Sequence, residues 1–99
     1  MPIADRSFKR LTEKNVNRSP RKRGVYALYR DRTLIFLGKA AGEAETIRSR
    51  LRSHLDANAQ PDTRYKRELT RSPAARLKVL VEEYVERHGR LPKLNAAQP

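Results

Sequence analysis

The chain has no cysteine, no tryptophan and one methionine, and only four of its 99 residues are glycine. Without cysteine there is neither a disulfide framework nor a thiolate zinc or iron–sulfur site. Two histidines, His54 and His88, are too few for a histidine-rich metal cluster. No apolar run approaches the roughly 18 residues of a membrane span, and Met1-Pro2-Ile3-Ala4-Asp5-Arg6 lacks the apolar stretch of a secretory signal. These absences predict a cytoplasmic protein without a membrane partner. Acidic residues are scarce too: 11 Asp and Glu stand against 23 Lys and Arg, a formal charge of +12. Such an excess on a small body points to a polyanion, nucleic acid ahead of any anionic surface. The length allows one domain.

Residues 1–23 form a basic N-terminal segment that ends in Ser19-Pro20-Arg21-Lys22-Arg23. Within it, Leu11 to Val16 predicts a short helix capped by Thr12. Gly24 opens the first apolar run, Val25-Tyr26-Ala27-Leu28-Tyr29, and Thr33-Leu34-Ile35-Phe36-Leu37 is the second. With Asp31-Arg32 as the turn between them, the two runs predict an antiparallel hairpin that ends at Gly38. From Glu45 to Ala57 the period changes, and Ile47, Leu51 and Leu55 mark one helical face. Tyr65 to Leu69 is a candidate third strand. Ser72-Pro73 then starts a helix that Gly89 stops. Leu77, Leu80, Val81, Tyr84 and His88 share its apolar face, where His88 reads as structural. Residues 24–95 make the domain and 96–99 a tail.

Taken in order, Gly24-Val25-Tyr26, Phe36-Leu37-Gly38-Lys39, Arg50-x-x-x-His54 and Pro92-x-x-Asn95 form a set that resembles the GIY-YIG nuclease family. Gly24-Val25-Tyr26 corresponds to the first triplet and Phe36-Leu37-Gly38 to the second, with Phe36 where the family carries tyrosine. The resemblance implies an α+β fold with a small three-stranded, mostly antiparallel sheet flanked by helices. It implies an endonuclease that hydrolyses DNA phosphodiester bonds with one divalent cation, Mg2+ or Mn2+, held by a glutamate. An arginine at the phosphate and a tyrosine near the attacking water complete the implied site. Gly24, Phe36, Gly38 and Asn95 then act as motif residues that shape it.

On that reading Tyr26 sits by the water. An unperturbed phenol has a pKa of about 10, and Lys39, just past the second strand, is the expected stabiliser of its phenolate. Arg50 is the arginine in register with the family motif, and its fork can grip two phosphate oxygens. His54, one helical turn on, is a base or proton relay. Arg21, Lys22, Arg23, Arg48 and Arg52 are expected phosphate contacts. The metal ligand has two registers. One takes Glu82, about 140° from Leu77 around the helix; the other puts Leu77 where the carboxylate belongs.

The plainer readings are a core tyrosine at Tyr26, solvated arginines along a basic helix, and an acidic outer face at Glu82, Glu83 and Glu86. They lead to two alternatives: a GIY-YIG-like module that holds nucleic acid without cutting it, or a basic RNA-binding protein. Duplex or branched DNA is the expected partner, and RNA the alternative one.

Overall fold

Apolar residues at two periods divide the chain into strands and helices in the computed structural model, which describes residues 8–42, 44–57 and 62–96. Residues 1–7 and 97–99, the outer parts of the expected basic segment and tail, lie outside the described residues. The elements run β1 (Lys9–Arg10), α1 (Glu13–Asn17), β2 (Gly24–Arg30), β3 (Thr33–Ala40), α2 (Ile47–Asp56), β4 (Arg64–Leu69), α3 (Pro73–His88) and α4 (Lys93–Ala96). This is a small α+β fold.

The strands form one antiparallel sheet in the order β1-β4-β2-β3. The sheet therefore has four strands rather than the three expected. The additional strand is a pair of cations, Lys9 and Arg10, aligned with Tyr65 and Arg64. Two charged residues carry no hydrophobic alternation, so nothing in their composition announces a strand. The expected hairpin is β2–β3, turned by Asp31 and Arg32 at φ 50° and 65°. Positive φ at both turn residues gives the chain the twist that a two-residue hairpin loop needs.

The period of two sorts the sheet residues onto two faces. Tyr26, Leu28, Phe36 and Tyr65 pack with Leu11 and Val16 from the N-terminal segment and Ile47 and Leu51 from α2. Val25, Ala27 and Leu37 face the other way, onto Leu80 of α3, with Leu77, Val81 and Tyr84 packed around them. The sheet thus divides the helices: α1 and α2 cover one face and α3 the other. An Arg76 to Glu68 ion pair at 2.7 Å fastens the first turns of α3 to β4. Gly89, at φ 73°, ends α3 in the left-handed conformation that suits glycine.

The basic segment before Gly24 is built into the molecule. Thr12 caps α1 by accepting from the Asn15 backbone N–H at 3.2 Å, and Leu11, Val16 and Ser19 are buried. At the free edge of β3, Asn95 accepts from the Leu37 N–H at 2.8 Å and donates to the Leu37 carbonyl at 2.9 Å. Its amide thus stands in for another strand. Among the described residues no helix is long and apolar enough to cross a membrane.

Candidate active site

The site begins with a gap in the pleat. Tyr26 of β2 lies opposite Gly38 of β3, and a Cβ at Gly38 would fall 2.6 Å from the Tyr26 hydroxyl and 2.7 Å from the Phe36 ring. Only a residue without a side chain lets the phenol lie across the neighbouring strand. Phe36 walls the ring on one side, with centroids 5.9 Å apart, and meets His54 edge-on at 4.9 Å. Gly24 has a different need, since a Cβ there would collide with the Glu68 carbonyl of β4.

Helix α2 brings the polar partners. Thr46 caps it, its hydroxyl accepting from the Ser49 N–H at 3.2 Å while the Thr46 N–H donates to the Ser49 hydroxyl oxygen at 2.8 Å. Leu51 and Ile47 bury one stripe of the helix, and Arg50 and His54 follow beside it on consecutive turns. His54 Nε2 stands 2.8 Å from the Tyr26 hydroxyl. Burial pushes the His54 imidazole below its ordinary value, and the Arg50 charge pushes it further. The ring is therefore neutral at pH 7, and Nε2 can accept the phenol's proton when Nδ1 carries the ring proton.

Burial also pushes the Tyr26 phenol up. The Arg50 guanidinium opposes that rise through its charge and its hydrogen bond to the phenol, while the Glu45 charge adds to it. The cation whose charge acts on the Tyr26 phenol is thus Arg50. Lys39, expected in that role, aligns with Val25 and points from the opposite face of the sheet into solvent. One step along a strand reverses a side chain. Arg50 also holds its Nε buried without a hydrogen-bond partner, which leaves a charged donor ready for an incoming oxygen.

The other arginines of α2 have structural work. Arg48 Nε donates to the Ser19 carbonyl at 2.8 Å. Arg52 donates to Asn17 Oδ1 at 2.5 Å and lies 3.7 Å from the Glu13 carboxylate. Both turn toward the N-terminal segment rather than to Tyr26. Carbonyls from that segment also fill the start of α2: Lys22 accepts from the Ile47 N–H at 2.9 Å and Pro20 from the Arg48 N–H at 3.2 Å.

Arg21, Lys22 and Arg23 are exposed and line a groove of about 580 Å³, together with Gly42, Thr46, Leu69, Thr70 and Arg71. The groove adjoins the capped end of α2, one turn from Arg50. Sequence reasoning missed two cations here. Arg71 completes the groove, and Arg67 is the cross-strand neighbour of Tyr26 on β4. Counting by twos from Tyr65 would have placed Arg67 on the Tyr26 face.

The expected carboxylate is elsewhere. Glu82 is exposed on α3, the helix that covers the face opposite Tyr26. Leu77, the position named by the other register, packs against that same far face. Neither register brings a carboxylate to the Tyr26 cluster. The acid whose charge reaches Tyr26 is Glu45, held by reciprocal backbone bonds of 2.6 and 2.9 Å to Gly42. Among the described residues no three His, Asp or Glu side chains gather into a cation cage. A Mg2+ ion is commonly held by one or two carboxylates with substrate phosphates supplying the rest. Of the two acids, Glu45 is the one whose charge acts on Tyr26, while Glu82 lies on the helix across the sheet.

Compared with known proteins, no family model, no curated protein and no solved structure matches this chain.

Proposed function

We propose that the chain is a divalent-metal-dependent endonuclease of GIY-YIG type, cutting DNA at the Tyr26 cluster. The observation that carries this reading is the convergence of Tyr26, His54 and Arg50 on one spot, with Nε2 of His54 2.8 Å from the phenol. Phosphodiester hydrolysis needs a deprotonated water, a cation at the phosphate and a route for the proton. His54 is neutral and placed to take the Tyr26 proton as the phenol oxygen takes one from water. Arg50 meets the charge that grows on the phosphate, using its Nε, which has no hydrogen-bond partner within the protein. A divalent ion beside Glu45 would supply further charge to the phosphate and the leaving oxygen. The groove of Arg21, Lys22, Arg23 and Arg71 grips the backbone next to the reacting bond.

The second reading is a module that binds DNA without cutting it. Phe36 favours it, since this position offers no hydroxyl, and so does the placement of Glu82 across the sheet. Cleavage assays on duplex, branched and flapped DNA decide between the two. Nicking with Mg2+ or Mn2+, abolished by chelator, by Tyr26→Phe and by Arg50→Ala, is the expected result. For Arg50 the loss corresponds to about 3–4 kcal/mol in the barrier, as for other preorganised donors. Arg48→Ala and Arg52→Ala should keep the activity, because their side chains serve the fold. Binding without cleavage across the whole panel leaves the non-cutting module.

A further inference from the structure

The face of the sheet opposite Tyr26 carries a second cavity, about 430 Å³, between the β2–β3 turn and the last turns of α3. Leu34, Leu37 and Leu80 make its floor. Tyr84 and His88, one turn apart on α3, stack with centroids 4.3 Å apart and planes tilted by 34°. Arg32 and Arg87 complete the lining. No side-chain hydrogen bond or ion pair joins either guanidinium to another described residue. The acid on this wall, Glu83, directs its charge to Arg76, so the rim is positive on balance.

The turn adds a second observation. Arg32 sits at φ 65°, next to Asp31 at φ 50°. Asparagine and glycine take those conformations readily, whereas arginine is strained there. The strained residue is also one of the two cations that line the cavity.

We propose that this cavity binds a nucleotide. The base lies on the Tyr84 and His88 rings above the aliphatic floor, and its phosphate reaches Arg32 and Arg87. An aromatic wall beside unpaired guanidinium groups matches a flat π-system that carries an anion. The volume falls in the range of small-molecule sites. Two sources supply this chemistry: a free mononucleotide, or the unpaired terminal nucleotide of a strand. The site is separated from Tyr26 by the sheet and does not depend on the nuclease reading.

The test is a titration of the whole protein with AMP, followed by NMR shifts of the Tyr84 and His88 rings and by calorimetry. AMP should bind at least tenfold more tightly than adenosine or inorganic phosphate. Tyr84→Leu and Arg32→Gly should each weaken it about tenfold. Arg32→Gly also relieves the strained turn, so it should raise the melting temperature while it lowers affinity; loss of folding cannot produce that pair of changes. Arg50→Ala should bind AMP as the parent does, which separates this site from the Tyr26 cluster. A duplex with a single unpaired terminal nucleotide is the other arm. Binding tighter than AMP and weakened by Arg32→Gly identifies a strand end, and binding no tighter than AMP identifies the free nucleotide. Unmoved Tyr84 and His88 rings at millimolar AMP, or unchanged affinity in Arg32→Gly, overturns the proposal.

Discussion

His54 and Tyr26 share one hydrogen bond but respond to pH at opposite ends of the scale. Burial and Arg50 place the folded His54 pKa below its ordinary 6.5, so near that value the unfolded chain binds more protons than the folded one. Its contribution to stability is complete above about pH 6.5 and is lost as pH falls through the folded value. Tyr26 is shifted up from 10.0 by burial. Its contribution is complete below about pH 10 and is lost as pH rises through the folded value. Urea midpoints measured from pH 4 to 8 should therefore fall on the acid side, and His54→Gln should flatten that limb. An unchanged limb would mean that the imidazole is not held neutral. At this scale the sequence was partly readable. Tyr26, Gly38, Arg50 and His54 stand out in the sequence through their resemblance to a family motif, and the structure brings them to one contact: a phenol lying over a glycine and reaching a helix turn. Lys39 lies near the motif along the chain but not in space, because strand alternation turns it to the other face. Glu82 misled for a deeper reason. The phase of α3 could be read from Leu77 and Leu80, but an amphipathic stripe does not say which face of a sheet it will cover.

Among the elements, the edge of β3 depends most on one side chain. Asn95 satisfies both backbone groups of Leu37. Asn95→Ala should destabilise the protein by about 2 kcal/mol, the sum expected for two modest hydrogen bonds. The Leu37 amide should exchange with solvent faster than its neighbours on β3. Asn95→Asp should cost a similar amount, since a carboxylate cannot donate to the Leu37 carbonyl. A Leu37 amide as protected in Asn95→Ala as in the parent would show that α4 is held by other contacts. The two longer helices and the hairpin were legible because each has its own punctuation: Ser72-Pro73 and Gly89 for α3, Asp31-Arg32 for the turn. Their partners were not. The order β1-β4-β2-β3 is set by which apolar faces meet, and β1 has no apolar face to read.

Across the whole molecule, one cluster within the charge of +12 is gathered from separate elements. Arg21, Lys22 and Arg23 come from the segment before β2, Arg71 from the turn after β4, and Arg50 from α2. Five phosphate contacts give a log–log dependence of duplex affinity on salt with a slope of about −4.5, and Arg71→Ala should lower its magnitude by about 0.9. Fluorescence anisotropy between low and physiological salt measures both, and a flat response would remove nucleic acid from the reading. The seating of the N-terminal segment against β4 has a consequence for synthesis. Arg64 donates to the Phe8 carbonyl at 3.3 Å across 56 residues of chain, and Ser19 meets the Tyr65 hydroxyl at 3.4 Å. A ribosome delivers the first member of each pair long before the second. The β2–β3 hairpin can close as it emerges, but β1 waits for β4 to leave the exit tunnel. Arg71 follows β4 directly, so a nascent chain carries three of the groove's cations without the wall that gathers them. The assembled groove therefore first exists once β4 and Arg71 have both left the tunnel.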